Sequence, residues 1–261
     1  MSPSRPPEPP PPPGGDPGGE NARRGRMSFA ARAARSQIRR YPRHLLESLH
    51  PRTLREGPFA AATDTREHLE SLRSQSLAAV WLGHAGVLLA VEGRLILVDP
   101  VLSARIGVRL GPLVLGKSRL EPAPLAPADL PRADLLLLTH AHFDHLDRPT
   151  LRALAHPRTV VLTARRTRRL VPRGFGAVIE VDWNQVHERL GLRIEAIRPA
   201  HWGARAIVDR GRGFNSYLVH AERSRVLLAG DTAATDAFDA LGGVDLAVFG
   251  IGAYDPWIHA H

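Results

Sequence analysis

Short apolar runs separated by turn residues dominate the chain from residue 77 onward. Three consecutive runs, at residues 77–82, 87–91 and 95–98, predict antiparallel strands, with Glu92-Gly93 as the tight turn between the last two. Further strands are predicted at residues 134–139, 159–163, 177–181, 193–198, 216–219, 225–228 and 245–249, and a helix at residues 150–155. Many short strands with few helices predict two sheets packed face to face, with helices outside.

The first 76 residues follow a different pattern. Residues 1–27 are rich in proline and glycine, which predicts a disordered tail. Residues 28–76 predict a basic helical extension, and within it residues 28–50 set apolar side chains among arginines. Three interpretations of residues 28–50 remain open: packing on the domain that follows, peripheral contact with an anionic membrane, or binding of a partner. The folded domain itself is predicted at residues 77–261.

Composition narrows the class of protein. The chain has no cysteine, so disulfides and thiolate metal sites are excluded. It has neither an apolar run of about 20 residues nor a signal peptide, which predicts a cytoplasmic protein. Peripheral contact with the inner face of the membrane remains an open alternative. The net charge is +9, but residues 1–56 hold 11 Arg and 5 acidic residues, a surplus of 11 − 5 = +6. Because aromatic residues make up only 5%, nucleic-acid binding is not favoured, and the arginine bias indicates a GC-rich bacterial genome.

The segment that follows the apolar run at residues 135–138 carries the chemistry. It reads His140-Ala141-His142-Phe143-Asp144-His145, so three imidazoles and a carboxylate fall within six residues where a buried strand must end. These groups suit zinc and similar divalent metals. An extended backbone points His140 and His142 the same way, while Asp144 and His145 fall on the following turn. The spacing therefore suits two neighbouring metal ions better than one.

Further candidate ligands stand at the ends of later strands. His201 follows one predicted strand, Asp231 follows another, and His261 lies beyond the last, with His259 as the alternative to it. His84 and Asp99 also follow predicted strands and should approach the metal loop. Asp99 is expected to hydrogen-bond this loop or a ligand imidazole.

The run at residues 140–145 resembles the H-x-H-x-D-H signature of the metallo-β-lactamase superfamily. Residues 79–85 (AVWLGHA), 95–100 (LILVDP), 229–232 (AGDT) and 251–254 (IGAY), together with Phe143, look like one branch of that superfamily. This branch contains the N-acyl-phosphatidylethanolamine-hydrolysing phospholipase D and lies near the L-ascorbate-6-phosphate lactonases.

The resemblance implies an α/β fold, the four-layer αββα sandwich, with two zinc ions at one edge and Mn²⁺ or Fe²⁺ as alternatives. By resemblance His140, His142 and His201 hold one metal, Asp144, His145 and His261 hold the other, and Asp231 bridges the two. The family continues beyond its last histidine into a helix, so the resemblance predicts that this chain is a fragment of a longer product. A di-iron, oxygen-reducing relative would carry Glu at the position of His142, which disfavours that chemistry.

Two ions roughly 3.5–4 Å apart can share a hydroxide at neutral pH, which predicts hydrolysis. Asp144 or Asp231 would orient that hydroxide or accept its proton. The leading interpretation is a phosphodiesterase of the phospholipase D-like type, acting on a small-molecule or lipid phosphodiester. The alternatives are a lactonase or other ester or amide hydrolase, and a non-catalytic membrane-associated relative. An apolar groove for a lipid could come from residues 101–115, which could equally be a packed loop.

Overall fold

The computed structural model of the protein describes residues 65–110, 113–119, 122–205, 209 and 211–251. The chain divides into two compact units, Met1–His50 and Pro51–His261, and every described residue belongs to the second. The predictions for the tail at residues 1–27 and for most of the helical extension therefore lie outside the described residues. No helix in the described ranges is long and apolar enough to cross a membrane.

The first sheet contains six strands in the order β1-β2-β3-β6-β7-β8. They are β1 (Leu77–Trp81), β2 (Val87–Val91), β3 (Arg94–Val98), β6 (Leu135–Leu138), β7 (Val160–Ala164) and β8 (Ala177–Val181). The first three pair antiparallel, as the turn at Glu92-Gly93 predicted, and β3, β6, β7 and β8 run parallel. Strand β6 consists of four buried leucines, the expected pattern for a strand covered on both faces.

The second sheet contains five strands in the order β13-β12-β11-β10-β9. They are β9 (Val186–Arg189), β10 (Leu192–Ile197), β11 (Ser216–His220), β12 (Arg225–Gly230) and β13 (Leu246–Phe249). Neighbours pair antiparallel except β12 and β13, which are parallel. Strand β9 was not predicted, because its sequence Val-His-Glu-Arg is polar and mostly exposed at the sheet edge.

A separate hairpin occupies most of residues 101–115, for which the sequence predicted no strand. Strands β4 (Arg105–Leu110) and β5 (Leu113–Ser118) pair antiparallel and form a two-stranded sheet of their own. Gly107 and Gly116 face each other across the hairpin, and a Cβ on either would come within 2.6 Å of the opposite backbone. Residues 105–118 are therefore a hairpin and not an irregular loop, while their contribution to an apolar groove stays a prediction.

Helices are few in the described residues. The α-helices are α1 (Thr65–Ser71) and α2 (Arg148–Leu154), and the 3₁₀ helices are Leu72–Ser74, Pro127–Asp129, Arg168–Leu170 and Asp239–Leu241. The main core lies between the sheets, where Leu89 and Ile96 of the first meet Ile194 and Tyr217 of the second. A second apolar cluster packs the outer face of the first sheet against the helices. The expected sandwich of two sheets with helices outside is confirmed.

This topology brings several loops to one edge of the sandwich. Because β3 and β6 are parallel, Asp99 and Thr139 emerge side by side at their carboxyl ends. The second sheet joins this edge through Tyr217, whose hydroxyl donates to the Leu138 carbonyl, and through Asn215, whose backbone N–H donates to the Thr139 carbonyl.

Candidate metal centre

Three histidine nitrogens converge at this edge. Nε2 of His140 lies 2.8 Å from Nδ1 of His142, and Nε2 of His201 lies 3.2 Å from the first and 3.3 Å from the second. Ligands on a tetrahedral zinc ion, each about 2.0–2.1 Å from the metal, stand about 3.3 Å apart. The three nitrogens are therefore spaced as the ligands of one divalent ion would be.

The sequence produces this convergence locally. His140 and His142 follow the end of β6, and their alternation on an extended backbone sends both side chains to one side. His140 keeps its other nitrogen, Nδ1, 2.9 Å from the hydroxyl of Thr139. His201 arrives from the second sheet, four residues after the end of β10. Both sheets are thus needed to assemble the trio.

The electrostatics of the trio suit metal binding. Burial lowers the pKa of His140 well below its usual range, and repulsion from neighbouring imidazoles adds to this effect. Burial also lowers the pKa of His142, and burial together with His142 lowers the pKa of His201 to about 4. All three rings are neutral near pH 7. Protons cannot satisfy three nitrogens that face one another, whereas a divalent cation accepts all three lone pairs, so this donor set fits such an ion.

Asp231 faces this trio from the end of β12. Its Oδ2 lies 4.0 Å from Nε2 of His140 and 3.9 Å from Nε2 of His201. Asp231 and the three histidines of the trio each offer one ligand atom, and these four atoms all lie within 4.8 Å of one another. Its Oδ1 lies 3.2 Å from Nε2 of His145. One carboxylate therefore faces both groups of candidate ligands that the sequence distinguished.

Gly230 sets the direction of Asp231. Its φ of +61° lies in the left-handed region, and the register of β12 against β13 shifts at this point. A Cβ on Gly230 would stand 3.0–3.1 Å from the side chain of Thr139. Only glycine combines this backbone conformation with such a close approach.

His145 is held from behind by Asp99. Oδ2 of Asp99 lies 2.7 Å from Nδ1 of His145, and it also accepts a hydrogen bond from the Thr139 hydroxyl at 2.5 Å. Burial opposes protonation of His145, but the carboxylates of Asp99 and Asp231 raise its pKa well above the usual range. A metal bound at Nε2 would displace that proton. The contact predicted for Asp99 is present.

Asp144 lies on the turn and has a neighbour from the first sheet. Its Oδ2 is 3.4 Å from Nε2 of His84, whose backbone has a φ of +52°. Burial would raise the pKa of Asp144, but the hydrogen bond with His84 and the charges of nearby histidines hold it well below the usual range. Its side chain is 41% exposed. Asp144 is therefore ionised and accessible beside the histidine group.

Sequence reasoning missed two residues of this region. The indole of Trp202 is 55% exposed, and its centroid lies 4.6 Å from that of His142, at the mouth of the centre. Arg205 donates to backbone carbonyls of the metal loop, and burial, with repulsion from Arg148, lowers its pKa to about 10. The only sequence signal for either residue is its proximity to His201. His259 and His261 lie outside the described residues.

Comparisons with known proteins identify the family of the chain. The sequence profile of the family described as "Beta-lactamase superfamily domain" matches residues 94–261. The chain is 32% identical over 201 residues to an uncharacterized protein of Mycobacterium tuberculosis, covering 71% of this chain and 51% of the relative. It is 30% identical over 198 residues to N-acyl-phosphatidylethanolamine-hydrolyzing phospholipase D 1 of Caenorhabditis elegans, covering 69% and 55%. The chain thus spans about half the length of these curated relatives.

Among solved structures, the crystal structure of CmlA, a diiron beta-hydroxylase from Streptomyces venezuelae, is similar at 27% sequence identity. The match covers 70% of this chain and 36% of that chain, with a TM-score of 0.48.

Proposed function

This chain belongs to the beta-lactamase superfamily, and from that premise we propose that it is a dinuclear, zinc-dependent hydrolase. The first ion would be held by His140, His142 and His201. The second would be held by Asp144 and His145, with His261 as the further ligand that the family resemblance implies. Asp231 would bridge the two ions.

One observation carries the proposal: the two oxygens of Asp231 face different groups. Oδ2 lies within 4.0 Å of two nitrogens of the histidine trio, while Oδ1 lies 3.2 Å from His145. A bridging ligand must lie between two sets of metal-ligand atoms, and the carboxylate of Asp231 has this position. In a single-ion site His145, buried and supported by Asp99, would serve only to pair with Asp231.

When bound, the two ions would activate a water molecule near neutral pH and offset the negative charge that develops on a substrate oxygen. The protein residues divide the remaining work. Asp144 and Asp231 are both ionised, with side chains 41% and 40% exposed, so either can accept a hydrogen bond from the attacking water and orient it. The exposed indole of Trp202 lies edge-on against the ring of His142 at the mouth of the centre.

The substrate that we favour is a phosphodiester, on a small molecule or a lipid. The support is the 30% identity to a phospholipase D of the N-acyl-phosphatidylethanolamine-hydrolyzing type. The same donor set would also serve attack at a carbonyl carbon, so lactones and other carboxylic esters are the competing substrates.

Metal content and substrate class can be tested together. We expect elemental analysis of the purified 261-residue chain to give two equivalents of divalent metal, together with metal-dependent turnover of bis-p-nitrophenyl phosphate. His142→Ala should lose metal and turnover together while remaining folded. His68→Ala, a change of the same type on an exposed face of α1, should behave as the wild type.

Each other outcome has a defined meaning. Two metals with turnover of a lactone or p-nitrophenyl ester, but not of the phosphodiester, would replace the phosphodiesterase with the alternative hydrolase. One equivalent of metal would contradict the bridging role of Asp231. A wild-type chain that binds no divalent metal would overturn the proposal.

A further inference from the structure

Arg205 contacts both ends of the segment that carries three of the proposed ligands. Its Nη1 donates to the carbonyl of Ala141 at 2.8 Å and to the carbonyl of Leu146 at 3.0 Å. Residues 142–145, between these two carbonyls, contain His142, Asp144 and His145. A single nitrogen thus closes a loop of the chain on which the metal ligands stand.

The same guanidinium also contacts the middle of the loop. Its Cζ lies 4.0 Å from the centroid of the Phe143 ring, the geometry of a cation–π contact. Phe143 follows His142 and precedes Asp144. The guanidinium therefore holds the loop at its two ends and near its centre.

The loop needs such a support because its own hydrogen bonds are local. The amides of His145 and Leu146 both donate to the carbonyl of His142, which forms one tight turn. This turn does not attach the loop to the second sheet. Ala141 and Leu146 are fully buried, and buried carbonyls are costly unless a donor reaches them.

Arg205 also connects the loop to His201, the member of the trio that comes from the second sheet. It stands four residues after His201, in the segment that follows β10. Its two hydrogen bonds span 59 and 64 residues of sequence, from the second sheet to the loop of the first. Any shift of the loop relative to His201 would stretch these bonds.

We propose that Arg205, seated on Phe143, is a positioning residue that fixes the geometry of the ligand loop against His201. The role rests on the proposed metal function. Arg205 acts through the backbone of the loop and the ring of Phe143, not as a metal ligand. A planar guanidinium suits this task because the two N–H groups of one terminal nitrogen can bond two carbonyls while its face lies on an aromatic ring.

The test measures metal binding rather than turnover alone. Zn²⁺ affinity is determined by competition with a chromogenic chelator, and ligand geometry from the visible absorption of the Co²⁺-substituted protein. We expect Arg205→Met to weaken Zn²⁺ binding by about tenfold to hundredfold and to alter the Co²⁺ spectrum. Arg205→Lys should recover part of the affinity, since an ammonium can donate to both carbonyls but cannot lie flat on the ring.

Phe143 provides an independent variant if Arg205→Met fails to fold, which melting of the metal-free protein would reveal. Phe143→Leu should weaken binding in the same direction but less, while Phe143→Tyr, which keeps the ring, should bind as the wild type. Because the two side chains act together, the double variant Arg205→Met, Phe143→Leu should lose less than the product of the two single effects.

Arg198→Met is the matched control. Its guanidinium lies 4.4 Å from the ring of Trp183, so the change removes a similar cation–π contact from the same connection after β10 without touching the ligand loop. Wild-type Zn²⁺ affinity and Co²⁺ spectrum in both Arg205→Met and Phe143→Leu, with or without a fall in turnover, would overturn the positioning role. A wild-type chain that binds no metal would instead overturn the proposed function on which this role rests.

Discussion

Oδ2 of Asp99 lies 2.7 Å from Nδ1 of His145, and neither side chain is more than 4% exposed. Asp99 comes from the end of β3 and His145 from the loop after β6, two parallel neighbours in the first sheet. This contact fixes the orientation of the imidazole, so that Nε2 faces Oδ1 of Asp231 at 3.2 Å. The carboxylate of Asp99 thus orients a candidate metal ligand, His145, without being a ligand itself.

The first prediction concerns this contact. Asp99→Asn preserves the shape of the side chain but removes the charge that orients His145. The asparagine side chain also has only one oxygen that can accept hydrogen bonds, where the carboxylate has two. We expect the affinity for divalent metal to fall about tenfold to hundredfold in a folded protein, measured by chelator competition. Asp239→Asn, at an exposed position, is the control. An affinity equal to the wild type in Asp99→Asn would show that His145 needs no support from this carboxylate.

The second prediction concerns Gly230, which directs Asp231. Gly230→Ala should lower the free energy of unfolding by about 1–3 kcal/mol through its left-handed backbone alone. The new Cβ would also press on Thr139, so we expect metal binding to weaken as well.

A second glycine separates these two effects. Gly191 also has a positive φ, +78°, but a Cβ there would meet nothing within 4 Å. Gly191→Ala should therefore lower the thermal stability of the protein without changing its metal affinity. If Gly230→Ala binds metal as tightly as Gly191→Ala does, the position of Asp231 does not depend on the contact between Gly230 and Thr139.

Much of the fold was predictable, because apolar runs of four or five residues mark strands that are buried on both faces. Strands β2 and β6 are of this kind, and both lie where the pattern placed them. Strand β9 escaped prediction because an exposed edge strand needs no apolar pattern. The hairpin of β4 and β5 escaped because its pairing depends on two facing glycines, which in sequence are typical of loops.

The candidate site likewise contains residues that the sequence could predict and one that it could not. His140, His142 and His145 stand in one short segment, so their spacing alone indicates a common site. His201 and Asp231 were predictable only because both follow strands, and the structure does bring them to His140 and His142. The role of Arg205 could not be predicted, because it bonds backbone carbonyls that any residue would offer, 59 and 64 positions away.

The third prediction concerns pH and Asp134. Burial would raise the pKa of this carboxyl, but the hydrogen bond from Arg73, the amide of Leu95 and the charge of Arg132 hold it below the usual range. Since the folded-state pKa lies below the unfolded value of about 3.9, ionised Asp134 stabilises the protein above that pH. The contribution is lost as the pH falls through the folded-state pKa.

We therefore expect Asp134→Asn to lower the free energy of unfolding of the metal-free protein by about 1.5–3 kcal/mol at pH 7. The difference from the wild type should shrink steadily below about pH 3.9. Chemical denaturation at several pH values measures this difference in the free energy of unfolding. Asp236→Asn, the same substitution at an exposed position, is the control. A difference that stays constant from pH 7 down to pH 2 would exclude this carboxylate charge as its source.

The last prediction concerns His84, which approaches the centre from the first sheet. Its Nε2 lies 3.4 Å from Oδ2 of Asp144, and its left-handed backbone is held by the indole of Trp81, which donates to the His84 carbonyl at 2.8 Å. Strained backbone of this kind persists where its surroundings fix it, and it concentrates at functional sites. His84 therefore restrains one oxygen of Asp144 and leaves the other for a metal ion.

His84→Ala should reduce the metal content from two equivalents toward one, because Asp144 serves the second ion while the trio around His140 is untouched. His84→Asn should lose less, since asparagine tolerates a positive φ and keeps a donor. Trp81→Phe, which removes only the indole donor, should also lower the metal content, but by a smaller amount. Elemental analysis after dialysis against a fixed free-metal concentration distinguishes these cases. Two equivalents retained in His84→Ala would mean that Asp144 takes its position without His84.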